Sequence, residues 1–212
     1  MGVGIMRALL VLVVLAAPLA AQTGYRKHSL RLSMGAGLPR ADLKPFFEDS
    51  FNLGFGYGYR FHRNFQADIG LDTVFYAARV EDYYQTQYGE LRIRDKQYLV
   101  PFGGRAIVPL GGERVLFYGG GGGTYMRYQE SIRQPFGDYY RFDCPVCRSR
   151  SGWGYYAVLG VSFSLDRSGH LRLGAGSRVY RGETSGDALG ALPPIRTQDR
   201  WLTTMGEFTL SF

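Results

Sequence analysis

Between Lys27 and Phe212, apolar residues recur at every second position in eight separate segments, and no other feature of the chain limits its fold as strongly. A period of two belongs to extended strands with two unlike faces. In "HSLRLSMGAGL" one face carries Leu30, Leu32, Met34, Ala36 and Leu38, against Ser29, Arg31, Ser33 and two glycines. The pattern returns in "FNLGFGYGYRF", in "FQADIGLDTVF", from Tyr98 to Val108, from Val115 to about Met126, and in "YYAVLGVSFSL", "HLRLGAGSRVY" and "WLTTMGEFTLSF". Short turns follow the second, fourth and sixth segments at "HRN", "PLGGER" and "DRSG", and long polar stretches follow the others.

An even number of alternating strands, with short turns at one end and long loops at the other, fits a lipid-embedded meander. Every backbone polar group in lipid must find a partner, so such a sheet has to close on itself. The expected fold is all-β: an eight-stranded antiparallel up-and-down transmembrane β-barrel with short periplasmic turns and long extracellular loops. A soluble sandwich or lipocalin-like barrel would turn its apolar face inward and show water a face of glycine and serine.

The run "FYGGGGGTYMRY", Phe117 to Tyr128, fits inside this pattern. A phosphate loop needs lysine and a hydroxyl residue after the glycines, where Thr124 and Tyr125 stand. A dinucleotide fingerprint needs a following helix, but the chain runs into Pro135 and Gly137 without a helical stripe. The flanks are rich in strand formers, so the glycines belong to a strand. Gly119, Gly121 and Gly123 share one face and Gly120 and Gly122 the other, with Tyr155 and Tyr156 expected to lie across the bare backbone.

The first residues give Arg7, an apolar run from Ala8 to Ala17 and then small residues, the pattern of a secretory signal peptide. Residues 1–21 are read as that signal and residues 22–212 as one barrel domain. The run is shorter than a membrane-spanning helix, and no cysteine stands at the cut to carry a lipid anchor. The net charge is +7, spread along the chain without basic clusters, so nucleic acid is not an expected partner. With 30 glycines, 16 tyrosines and 14 phenylalanines in 212 residues, the composition favours short strands and turns over helices.

On these segments and on the ending "GEFTLSF" the chain resembles the small eight-stranded outer-membrane barrels of Gram-negative bacteria, the OmpA/OmpX-like proteins. The likeness covers the whole expected mature sequence. It implies an integral outer-membrane location, among outer-membrane lipid and lipopolysaccharide, as a monomer. It also implies that Phe212, Leu210 and Phe208 form the signal read by the barrel-assembly machinery. No peptidoglycan-binding domain follows the barrel, so a wall anchor is not expected.

Arg31, Arg60, Asp68, Asp72, Arg105, Arg172, Arg178 and Glu207 fall on the inward face. Buried charges persist when paired, so a salt-bridged plug of Glu207 with Arg31 and Arg172 is expected rather than a gated ion path. His28, His62 and His170 bring no nucleophile and base together, so no catalytic residue, cofactor or metal is assigned. Cys144 and Cys147 in "DCPVCRS" have the spacing of a redox pair, half a zinc site or a disulfide. The absence of a second pair and the oxidising compartment favour a disulfide-closed loop. That loop, roughly Arg127 to Gly152, interleaves arginine with Tyr128, Phe136, Tyr139, Tyr140 and Phe142, a surface suited to phosphorylated lipopolysaccharide heads or a partner. The leading functional expectation is a non-enzymatic, structural or adhesive surface barrel. A narrow, porin-like pore or carrier for small molecules comes second and a lipid-modifying enzyme third.

Overall fold

In the computed structural model, which describes residues 25–79, 83–86, 89–111, 113–132, 144, 146–186 and 194–212, the alternating segments become strands. They are β1 (His28–Arg40), β2 (Ser50–His62), β3 (Phe65–Phe75), β4 (Tyr83–Thr86), β5 (Gly89–Leu110), β6 (Val115–Ile132), β7 (Ser149–Ser164), β8 (Leu171–Gly186) and β9 (Arg196–Ser211). The signal-peptide segment lies outside the described residues.

Every pairing is antiparallel, in the order β3-β2-β1-β9-β8-β7-β6-β5, and β3 pairs with β5 to close an eight-stranded barrel. The ninth strand, β4, is a four-residue hairpin arm on β5 outside that ring. Closure between the first and last strands runs from Ser29 opposite Ser211 to Arg40 opposite Arg200, and Phe212 and His28 exchange both backbone N–H···O bonds at 2.9 Å. No strand edge is left for lipid to meet within the ring.

The alternation sorts the side chains as membrane burial requires. Leu32, Met34, Phe55, Ile69, Phe102, Leu159, Leu173 and Phe208 stand exposed on the outer surface. In water such a continuous apolar band would be a liability; in a bilayer it is the lipid contact. The opposite parity points inward, so Arg31, Asp68, Asp72, Arg105, Arg178 and Glu207 are buried in the lumen.

The glycine run sits in mid-β6, where β5 and β7 come too close for side chains. A Cβ at Gly120 or Gly122 would collide with the β5 backbone. Such contact permits the tight curvature of a narrow barrel. The ring over this run is not the expected one. Phe102 covers Gly123, with its Cζ 2.5 Å from where a Cβ would stand. Register sets both Phe102, from β5, and Tyr155, from β7, opposite Gly123 on the outer face, and of the two rings it is Phe102 that leans over the glycine.

The other differences lie at the extracellular ends. β5 has 22 residues and begins at Gly89 rather than near Tyr98, and β6 has 18 and continues to Ile132. A strand needs about nine to eleven residues to cross the membrane. Beyond that height the outer face meets water, so "RIRDKQ" and "RYQESI" keep strand pairing without an apolar face. The expected loop from Arg127 to Gly152 is therefore shorter at both ends, and Tyr128 is a buried lumen residue instead of a loop aromatic.

Candidate functional site

The site is the lumen. In its periplasmic half Arg105 Nε lies 2.5 Å from Asp68 Oδ2, and Gln66 donates to Asp68 Oδ1 at 2.8 Å. The Arg105 guanidinium stacks over the Tyr118 ring at 4.5 Å, and the Tyr118 hydroxyl donates to Glu207 Oε2 at 2.6 Å. Tyr118 thus crosses from β6 beneath β7 and β8 to reach β9. Gly160 and Gly176 make that passage possible, because a Cβ on Gly160 would overlap the hydroxyl and one on Gly176 would lie 2.6 Å from it. Arg31 stands between two carboxylates, 3.7 Å from Asp68 and 3.8 Å from Glu207. Deeper in, Arg178 Nη1 meets Asp72 Oδ2 at 2.5 Å, and Tyr180 donates to the same oxygen.

The expected trio of Glu207, Arg31 and Arg172 is corrected in one member. The second guanidinium near Glu207 is that of Arg178, at 3.5 Å. Arg172 turns toward the periplasmic turn, where it donates to the Glu113 carbonyl at 3.0 Å and lies 4.0 Å from its carboxylate. Arg60 reaches the same carboxylate at 3.2 Å. Glu113, missed in the sequence as part of a plain turn, occupies a left-handed conformation with φ 70°. That geometry costs about 1 kcal/mol or more for a non-glycine residue, and here it gathers two buried arginines onto one carboxylate.

The extracellular half is closed by apolar groups. After β1 a single 3-10 turn, Ala41–Leu43, leads a loop back over the mouth, burying Leu43 and Phe47. Phe47 packs edge-on against Tyr128 at 5.7 Å and Trp201 at 5.8 Å, above Val74, Leu99 and Met126. The Arg150 guanidinium lies 4.7 Å over Tyr128 and pairs with Asp199 at 3.4 Å. The loop is tied down by Glu48 N–H to Ala77 O at 2.6 Å and Arg79 N–H to Phe46 O at 2.9 Å. The cluster of Leu43, Phe46 and Phe47 in "ADLKPFFED" was the sequence signal for this cap.

Cys144 and Cys147 are joined by a disulfide, with Cα atoms 5.3 Å apart. His170 donates from Nδ1 to the Ser211 carbonyl at 2.8 Å and accepts from Arg26 at 2.9 Å, while Ser168 donates to Asp166. The imidazole and the hydroxyl therefore serve the turn and do not face each other. His28 meets the Tyr57 hydroxyl at 2.6 Å and stacks on the Phe212 ring at 5.6 Å. Leu210 and Phe208 pair with Leu30 and Leu32 along the closing seam. Among the described residues no group of three or more His, Cys, Asp or Glu is placed to hold a metal.

A closed antiparallel ring with an apolar exterior and a charged interior defines an integral outer-membrane β-barrel. Residues 8–192 match the family model for the outer membrane protein beta-barrel domain, and the chain belongs to that family. Among solved structures it is similar to OprG, an outer membrane protein of Pseudomonas aeruginosa, with 15% identity and a TM-score of 0.55 over 89% of this chain and 98% of that one. It is also similar to Neisserial surface protein A, with 14% identity and a TM-score of 0.52 over 90% and 98% of the two chains. At these identities the likeness is one of fold. No curated protein sequence matches the chain.

Proposed function

We propose that this barrel is a non-enzymatic surface protein with a sealed lumen, acting structurally or adhesively through its extracellular loops. The observation that carries the reading is the double closure of the lumen: an ion-paired layer around Asp68, Asp72 and Glu207 below, and the Leu43–Phe47 cap above. A chain that fills its interior and extends β5 and β6 well beyond the bilayer commits its extra residues to what it presents outside. The disulfide at Cys144 and Cys147 shortens the span of one such loop. Arginine and tyrosine in residues 133–148 suit phosphorylated lipopolysaccharide heads. Phe212, Leu210 and Phe208 supply the seam that the assembly machinery would read, and the barrel acts as a monomer.

The test is to replace residues 133–148 by a short glycine-serine turn and measure co-sedimentation with lipopolysaccharide micelles. The shortened protein should still assemble, shown by faster gel migration before boiling than after, and should lose most of the binding. Undiminished binding, or an epitope in this loop that is reached only after cells are permeabilised, contradicts the reading.

A further inference from the structure

We propose that the periplasm-facing end of the lumen is a binding site for a tetrahedral oxyanion, a phosphate group either free or carried on a lipid head. A cavity of about 50 Å³ lies there, bordered by Arg26, Arg31, Arg60, Arg105 and Arg172, with Glu207 the only carboxylate on its wall among the described residues. One water needs roughly 10–15 Å³ by this measure, so the space takes several waters or one small oxyanion. The hydroxyls of Ser29, Ser211 and Thr209 complete a wall rich in donors.

The nearby carboxylates engage the other buried guanidiniums and leave Arg31 without a close partner. Asp72 is held by Arg178 and Tyr180, Asp68 by Arg105 and Gln66, and the Glu113 carboxylate is approached by Arg60, Arg63 and Arg172. Arg31 is only 7% exposed, yet its two ion pairs, at 3.7 Å and 3.8 Å, are too long to be hydrogen bonds. Its planar fork of N–H donors therefore borders the cavity without a close acceptor, the geometry that receives two oxygens of a phosphate. Arg26, half-buried at the rim, spends one contact on His170 and marks the side of access. A buried cationic excess is costly, and an oxyanion in this space would offset it.

The test is isothermal titration of the refolded barrel with inorganic phosphate, in uncharged phosphate-free detergent at fixed ionic strength, with chloride as control. Saturable one-site binding that chloride does not reproduce is expected. Arg31→Gln should weaken it at least tenfold and Arg26→Ala several-fold. Arg26 stands outside the ion-paired plug, so Arg26→Ala should keep the heat-shifted gel band and decides the matter even where Arg31→Gln does not assemble. Displacement of phosphate by short-chain phosphatidic acid at lower concentration would mark a lipid head as the occupant, and its failure would mark free phosphate. Binding matched by chloride, or left unchanged by Arg26→Ala, overturns the proposal.

Discussion

Asp72 is fully buried, and two groups depend on it: the Arg178 guanidinium at 2.5 Å and the Tyr180 hydroxyl. Removing one member of a buried pair leaves the other charged and unsolvated, so Asp72→Ala should cost about 3–5 kcal/mol in urea unfolding from lipid vesicles. Glu48→Ala, which breaks the exposed pair with Arg79, should change the same measurement by less than about 1 kcal/mol. Asp166, exposed in the β7–β8 turn, is different again. Its carboxyl is held below the usual carboxylate range by hydrogen bonds from the Ser168 hydroxyl and the Leu171 N–H, with His170 N–H adding to them. A depressed folded-state pKa means a contribution present above the unfolded value, near 4, and lost as pH falls through the folded one. Protection of the Leu171 amide from hydrogen exchange should therefore fall in acid, and Asp166→Asn should remove that dependence. Parity along the strands was enough to find the inward Arg31, Asp68 and Glu207. It could not choose Arg178 over Arg172 as partner of Glu207, because Glu207 stands opposite Gly174, nearer in register to Arg172, and it is Glu113 in the turn that draws Arg172 away.

At the scale of elements, the strands were legible where lipid touches them and illegible above it. β3 begins and ends where its alternation does, at Phe65 and Phe75, because both of its ends leave the sheet in turns. β5 and β6 outrun their apolar pattern, since a strand pair in water needs only its backbone bonds and its lumen face. The glycines of β7 and β8 carry information that a single strand does not show. Gly160 and Gly176 are small because Tyr118 passes beneath them. Gly160→Ala should lower the yield of assembled barrel on heat-shift gels, and Gly160→Ala combined with Tyr118→Ala should lose less than the two effects added together. Full additivity would show that the glycine answers to backbone curvature alone.

For the whole molecule, closure and filling are separate properties. Closure follows from alternation, since a lipid-facing sheet cannot keep open edges. Filling follows from narrowness, since eight strands leave a lumen that side chains can occupy. Strand parity pointed to charged residues inside but not to the apolar cap, because Leu43 and Phe47 lie in a loop, where no period of two assigns a face. The two closures in series are the basis of a surface role without conduction. Single-channel recording of the refolded protein in planar bilayers tests this most directly, with insertion verified by the heat-shifted band. A lumen closed at both ends should give a flat trace with no resolved openings at high salt. Steady unitary steps that scale with salt concentration would contradict it.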